Sequence, residues 1–130
     1  MRSVTTACVR LPKPFRGMVR RDTDLVARYG GDELAAILPH TDLEGAMEVA
    51  ESVRRAIAAL RVPHRENHEG GGIMTASIGV ATALSRDDGT QHVPAALLKA
   101  ADTALYKAKQ LGRNRVEAGL PLRVVLDPAI

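Results

Sequence analysis

A Gly-Gly pair followed at once by two acids is the feature of this sequence with the most chemical content. Gly30 and Gly31 can take positive φ in a tight turn, and their bare backbone lets a ligand approach closely. Asp32 and Glu33 then offer carboxylate oxygens, which hard cations such as Mg²⁺ accept as ligands. Phosphate or metal chemistry at this turn is one interpretation, and a solvated turn with two surface acids is the other.

Two basic residues near the end of the chain could bind an anion. Lys109 and Arg113 are four positions apart at the end of a predicted helix, which would place them one turn apart on a single helical face. Cations at that end also complement the negative pole of the helix dipole. The pair therefore either binds phosphate or stabilises a helix end, and Asn114 after it could be a local cap.

Alternating apolar residues on both sides of the glycines predict a β-hairpin that carries the two acids at its turn. The first strand covers about residues 25–29 and the second about 34–38. After Pro39, apolar side chains recur at three-and-four spacing and predict a helix that begins with Thr41 and Glu44 as a capping box. One face of this helix is predicted to be buried.

A further strand and helix are predicted in the C-terminal half. Residues 73–82 alternate with period two, and Gly79 inside that strand implies that a helix or a ligand lies close to one face. A helix follows between Pro94 and Gly112, because Pro suits a first helical turn and Gly suits the position beyond the end. Residues 113–116 then begin a final strand.

Composition narrows the classes of protein. The chain has 130 residues, of which 45% are hydrophobic, which suits one globular domain. No apolar stretch approaches the ~20 residues needed to cross a bilayer, so we expect no membrane segment and a cytoplasmic location. A net charge of +3 with one Phe, two Tyr and no Trp argues against a nucleic-acid partner. The single Cys8 excludes an internal disulfide.

Three blocks, in this order, resemble the diguanylate cyclases, or GGDEF-domain proteins, a family of bacterial signalling enzymes. These nucleotidyltransferases join two GTP molecules into cyclic di-GMP and release pyrophosphate. The blocks are RDTDLVARYGGDEL (21–34), MTASIGVAT (74–82) and ADTALYKAKQLGRNRV (101–116). The final Phe of the family signature is Leu34 here, which is an exchange between apolar residues of similar volume.

The resemblance implies a role for each residue of the two candidate groups. Two domains would meet as a homodimer, and each would hold one GTP together with Mg²⁺ or Mn²⁺. Asp32 and Glu33 would be the catalytic residues, with Glu33 ligating the metal and Asp32 assisting metal binding or hydroxyl activation. The two glycines of the turn would let the nucleotide lie close, and Lys109 and Arg113 would bind its triphosphate.

Arg21 and Asp24 match the Arg-x-x-Asp pattern with which the family binds its product, cyclic di-GMP, at an inhibitory site. The five residues between Asp24 and the Gly-Gly pair also match the family spacing. Arg21 can offer a planar fork of donors to a phosphate or to guanine, and Asp24 can accept from guanine. The alternative for the two residues is a surface ion pair, which contributes ~0–1 kcal/mol.

The start of the chain departs from the family, which has there a central strand with a metal-binding Asp. No Asp or Glu precedes Asp22. The resemblance therefore predicts an α/β fold (an α+β sandwich), in which a mostly antiparallel sheet with packed helices lacks the first strand and helix and exposes two edges. We divide the chain into an unmatched leader (1–14), a truncated GGDEF domain (15–117) and a tail (118–130) of unassigned role. A further hypothesis places Ser3–Val9 in the central slot, because these residues are β-prone.

The sequence leaves three functions open. The first is a diguanylate cyclase-type domain that is inactive as this truncated chain. The second is a module that senses cyclic di-GMP through Arg21 and Asp24, and the third is a non-catalytic fragment that pairs with other GGDEF domains.

Overall fold

A computed structural model describes residues 2–10, 25–28, 33–68, 70–85, 93–119 and 122–124 of the chain. Over these residues the chain forms six strands and two helices. In chain order they are β1 (Arg2–Arg10), β2 (Leu25–Arg28), β3 (Glu33–Pro39), α1 (Leu43–Ala59), β4 (Ser77–Ser85), α2 (Val93–Gln110), β5 (Val116–Ala118) and β6 (Leu122–Val124).

The six strands form one mixed sheet in the order β2-β3-β1-β4-β5, and β6 also pairs with β4. The pairs among β2, β3, β1 and β4 are antiparallel, whereas β5 and β6 run parallel to β4 along one edge. This arrangement confirms the predicted α/β class with a mostly antiparallel sheet.

Strand β1 occupies the centre of the sheet. The sequence had predicted that this central position lacks a strand. Residues 4–10 pair with β3 and residues 2–10 pair with β4. The hypothesis that Ser3–Val9 fills this slot is therefore confirmed, and the expected pair of open edges is corrected. The physical reason is that one β-prone segment satisfies the backbone groups of both neighbouring strands at once.

The predicted hairpin is confirmed. The antiparallel register runs from Leu25 opposite Ile37 to Arg28 opposite Leu34. The connecting residues 29–32, which include the Gly-Gly pair, lie outside the described residues. Glu33 is the first residue of β3.

Helix α1 begins one residue later than the predicted capping box requires. Asp42 is the N-cap, and its Oδ1 accepts a hydrogen bond of 2.8 Å from the amide of Gly45. Thr41 instead donates its hydroxyl to the carbonyl of Pro39 at 3.0 Å. The prediction of Thr41 as the cap was therefore wrong, because the carboxylate of Asp42 already accepts from the third amide of the helix.

The sheet has an apolar core on each face. Helix α1 packs Ala46, Ala50 and Ile57 against Ile78 and Val80 of β4 on one side. On the other face α2 packs against β4 and β1. The cluster of buried residues on this face comprises Ala35, Ala81, Ala83, Leu97, Ala101 and Leu105. Neither of the two described helices is long and apolar enough to cross a membrane.

Gly79 lies where α2 approaches β4 most closely. A Cβ built on Gly79 would overlap the backbone of Ala101 and Leu105. The predicted need for a packed helix at this glycine is thus confirmed. The strand itself begins at Ser77 rather than at 73, because Ile73 forms an isolated antiparallel bridge with Pro63.

Candidate functional site

Three central strands bring their ends together at one edge of the sheet. Arg10, the last residue of β1, pairs with Glu33, the first residue of β3. On its other side Arg10 pairs with Ser77, the first residue of β4. Residues opposite each other in antiparallel strands share a face, with Cβ atoms about 5 Å apart. Arg10, Glu33 and Ser77 therefore form a row across the sheet, which we call the strand-end row.

The chain after α2 returns to the same edge. The amide of Ile78 donates to the carbonyl of Arg115 at 3.0 Å, and the amide of Asn114 donates to Oγ of Ser77 at 3.2 Å. Ser77 is 7% exposed, so its hydroxyl lies within the packed layer beneath this segment. Residues 112–115, which we call the post-helix turn, thus contact the strand-end row directly.

The post-helix turn has an uncommon backbone conformation. Gly112, Arg113 and Asn114 have φ values of 118°, 64° and 47°, all in the left-handed region. Glycine and asparagine adopt this region readily, whereas for arginine it costs about 1–2 kcal/mol. The amide of Arg113 donates to the carbonyl of Ala108 at 2.9 Å, which closes the C-terminus of α2.

Lys109 and Arg113 do not lie on one helical face. Lys109 is half-buried in the last turn of α2, which ends at Gln110, and Arg113 is exposed beyond the helix in the left-handed region. The predicted one-turn arrangement fails because the backbone leaves the helix between them. Both residues nevertheless lie at the C-terminal end of α2, and the post-helix turn brings Arg113 to the edge that carries Glu33.

An arginine of α1 anchors this turn. Arg54 of α1 donates from Nε to both carboxylate oxygens of Glu51, at 3.1 and 3.0 Å, and its Nη2 also contacts Oε1. Its Nη1 donates to Oδ1 of Asn114 at 2.9 Å. The spacing of Glu51 and Arg54 could have signalled the ion pair, but the contact with Asn114 joins residues 60 positions apart. Sequence periodicity carries no signal for such a contact.

The ion pair shifts the pKa values of both partners, so that each charged form is stabilised. Hydrogen bonds from Arg54, its positive charge and that of Arg55 hold the pKa of Glu51 below its usual value, although burial opposes the shift. The pKa of Arg54 is raised, chiefly by its hydrogen bonds to Glu51. The side chain of Arg54 is 20% exposed, whereas Arg55, which also contacts Glu51 at 3.3 Å, is 75% exposed. Arg54 is therefore a structural cation and Arg55 a surface one.

The structure describes three of the residues predicted to form the site, namely Glu33, Lys109 and Arg113. It brings Glu33 and Arg113 to one edge of the sheet. The other five lie outside the described residues: Arg21, Asp24, Gly30, Gly31 and Asp32.

The described residues do not fit a divalent cation held by several carboxylates. Among them no group of three or more His, Cys, Asp or Glu side chains could hold a metal ion. In the strand-end row Glu33 is the single acid, and the central position beside it belongs to Arg10. A basic residue at that register position supplies no carboxylate oxygen as a second ligand.

The family model and the similar proteins indicate the same family. A family model described as "Diguanylate cyclase, GGDEF domain" matches residues 11–115. The chain is 45% identical over 96 residues to diguanylate cyclase VdcA of Vibrio cholerae, which covers 74% of this chain and 27% of VdcA. It is 40% identical over 98 residues to diguanylate cyclase DgcM of Escherichia coli, covering 75% of this chain and 21% of DgcM. The chain thus spans about a quarter of these relatives or less.

Solved structures show the same fold. The GGDEF domain of DgcB from Caulobacter crescentus, in complex with c-di-GMP, matches with a TM-score of 0.68 and 27% identity, over 90% of this chain and 78% of that one. The GGDEF domain of YfiN (TpbB) from Pseudomonas aeruginosa matches with a TM-score of 0.62 and 26% identity, over 92% of this chain and 83% of that one.

Proposed function

Because the chain belongs to the GGDEF diguanylate cyclase family, we propose that it binds GTP through Lys109 and Arg113 but, as this chain, forms little or no cyclic di-GMP. The observation that carries the proposal is the pairing of Arg10 with Glu33 at the strand-end row. We thus expect the groups that bind the nucleotide to function in this chain, and the catalytic acid not to.

The binding half of the proposal is supported by the end of α2. Arg113 is exposed on a turn held by backbone hydrogen bonds, and Lys109 lies in the preceding helical turn. A guanidinium presents a planar fork of donors that matches phosphate oxygens, and an ammonium adds a compact point charge. Two cations at the C-terminal end of α2 can therefore bind a triphosphate without help from a carboxylate.

The strand-end row argues against formation of cyclic di-GMP by this chain. Transfer between nucleotides requires positive charge, ordinarily from metal ions, to be fixed at the reacting phosphates. Glu33 is the acid at this row that could hold a metal, and no Asp or Glu precedes Asp22 in the sequence to join it from β1. The strand position paired with Glu33 carries a basic residue rather than a second acid. We therefore expect binding without turnover.

Joining two nucleotides also requires two copies of the domain. Each copy holds one GTP in the proposed arrangement, so product formation would need a homodimer with the two nucleotides facing each other. Binding of a single GTP has no such requirement, and it is the activity we expect from the isolated chain.

Titration of the purified chain with a non-hydrolysable GTP analogue in MgCl₂ tests the proposal, with chromatography of GTP incubations to detect cyclic di-GMP. Arg113→Ala should weaken analogue binding about tenfold, or about 1.4 kcal/mol, in line with the loss of a charge-assisted contact. Arg55→Ala removes an exposed arginine from α1 and should leave the affinity unchanged. Steady formation of cyclic di-GMP that Glu33→Ala abolishes would contradict the proposal.

A second candidate function is the sensing of cyclic di-GMP. Arg21 and Asp24 retain the Arg-x-x-Asp pattern in register with the Gly-Gly pair, and the matched GGDEF domain of DgcB was solved in complex with c-di-GMP. We expect Arg21→Ala to weaken cyclic di-GMP binding at least tenfold, whereas the neighbouring Arg20→Ala should bind as the wild type does. Undetectable binding, or equal affinity in wild type and Arg21→Ala, would remove this candidate.

A further inference from the structure

Arg54 connects two parts of the fold that are distant in sequence. It lies in the third turn of α1, its Nε is committed to Glu51, and its Nη1 donates to Asn114 at 2.9 Å. Asn114 belongs to the post-helix turn, and its own amide is bound by Ser77 at 3.2 Å. The side chain and the backbone of Asn114 are thus held from two different elements, α1 and β4.

The post-helix turn requires such anchors. Arg113 and Asn114 are consecutive non-glycine residues with positive φ, at 64° and 47°. Residues in such sparsely populated regions persist where surrounding contacts over-determine them. Three hydrogen bonds supply these contacts. The amide of Arg113 donates to the carbonyl of Ala108, the amide of Asn114 donates to Oγ of Ser77, and Nη1 of Arg54 donates to Oδ1 of Asn114. Among these three, the last is supplied by a side chain from another helix.

We propose that Arg54 holds the post-helix turn in its left-handed conformation and thereby sets the position of Arg113 for the nucleotide. Arg54 is a positioning residue in this scheme, because it acts through Asn114 and does not itself contact the ligand. The carboxylate of Glu51 holds the guanidinium of Arg54 in one orientation. Less side-chain entropy is therefore lost when Nη1 binds Asn114. The second step of the proposal rests on the proposed function.

Amide exchange tests the first step without any nucleotide. The backbone amide of residue 114 should exchange about tenfold faster in Arg54→Gln and in Asn114→Ala than in the wild type, measured by hydrogen exchange on the ligand-free chain. Arg55→Gln is the matched control, since Arg55 contacts the same Glu51 but is 75% exposed and next to Arg54 in sequence. We expect wild-type exchange in Arg55→Gln.

Nucleotide affinity tests the second step. Titration with the non-hydrolysable GTP analogue should show about tenfold weaker binding for Arg54→Gln and for Asn114→Ala, and no further loss in the double variant, because both changes release the same turn. A merely structural role of Arg54 would lower the free energy of unfolding and leave the affinity of the folded protein unchanged. Asn114→Ala, at an exposed position, keeps the comparison available should Arg54→Gln not fold.

The outcomes separate the two proposals. Unchanged exchange at residue 114 in both variants overturns the inference, whatever the affinity. Faster exchange with unchanged affinity for the analogue overturns the role of Arg54 in nucleotide binding. If the wild-type chain binds no analogue at all, the proposed function fails, and the exchange comparison alone decides whether Arg54 holds the turn.

Discussion

Arg10 at the end of β1 lies opposite Glu33 at the start of β3, in the terminal residue pair of the central antiparallel ladder. A basic residue thus occupies the strand position next to the acid of the Gly-Gly-Asp-Glu motif. Since β1 also pairs with β4 at Ser77, the same basic residue is at the middle of the row.

The first prediction follows from that charge. Arg10→Asp should bind Mn²⁺ at least tenfold more tightly than the wild type, because it replaces a cation by a second carboxylate beside Glu33. Titration followed by the electron paramagnetic resonance signal of free Mn²⁺ measures the affinity. Arg2→Asp makes the same charge change at the opposite end of β1, where the partner is Ser85, and should have little effect. An equal gain in both variants would mean that net charge alone is responsible.

The second prediction concerns the contact of β4 with α2. Gly79→Ala should lower the free energy of unfolding by about 3 kcal/mol or more, because the added Cβ overlaps rigid helix backbone at Ala101 and Leu105. A Cβ on Gly119 would stand 3.3 Å from the carbonyl of Ala100, so Gly119→Ala should cost less. Urea denaturation of both variants gives the comparison, and an equal cost would contradict the close approach at Gly79.

Strands and helices that follow from a local pattern of apolar residues could be predicted from the sequence. The hairpin strands alternate with period two, and both helices repeat apolar residues at helical spacing, so the sequence alone placed β2, β3, α1 and α2. It also predicted that something must pack on Gly79. The slot of β1 was harder to assign, since β propensity in residues 3–9 indicates a strand but carries no information on its partners.

The residues of the candidate site remain predictions, and their geometry could not be read from the sequence. The motif identified Glu33, Lys109 and Arg113 as site residues through a resemblance, and their pattern could not show that the backbone turns left-handed after Gln110. Nor could it show that Arg54 reaches Asn114, because contacts between elements follow from packing of the folded chain. The place of Arg10 opposite Glu33 likewise depends on register, which the unmatched start of the chain did not reveal.

The third prediction concerns the loop between α1 and β4. Asn67 donates from Nδ2 to the carbonyl of Ile73 at 2.7 Å, and its Oδ1 accepts from the amide of Gly70 at 3.2 Å. Asn67→Ala should destabilise the protein by about 1–2 kcal/mol, because it leaves both backbone groups without that partner. Exposed His68→Ala in the same loop should be neutral in the same denaturation experiment. Equal stability of Asn67→Ala and wild type would show that water replaces both bonds.

The fourth prediction concerns the cap of α1. Asp42→Ala should cost about 1 kcal/mol of unfolding free energy, since the amide of Gly45 loses its 2.8 Å acceptor at the N-terminus of the helix. Thr41→Ala removes the residue that the sequence pattern favoured as the cap. It should cost less, because the hydroxyl of Thr41 bonds the carbonyl of Pro39 instead. Thermal denaturation of the two variants at matched pH ranks them, and the reverse order would restore Thr41 as the cap.

The last prediction concerns pH and the ion pair of α1. Hydrogen bonds from Arg54, together with its charge and that of Arg55, lower the pKa of Glu51 in the folded protein below its ordinary value of 4.5. A carboxyl with a depressed folded pKa stabilises the fold above its unfolded pKa and loses that contribution as the pH falls through the folded value. Because the Glu51 side chain is 33% exposed, we expect a contribution of about 1 kcal/mol.

Urea denaturation of wild type and Glu51→Gln from pH 7 to pH 3 measures this contribution. The wild type should be the more stable at pH 6–7, and the gap should narrow as the pH falls below about 4.5 and close once Glu51 is protonated in the folded protein as well. Glu48→Gln removes an exposed carboxylate from the same helix and serves as the matched control for charge. A gap between wild type and Glu51→Gln that stays constant down to pH 3 would show that Arg54 is held by packing rather than by the charge of Glu51.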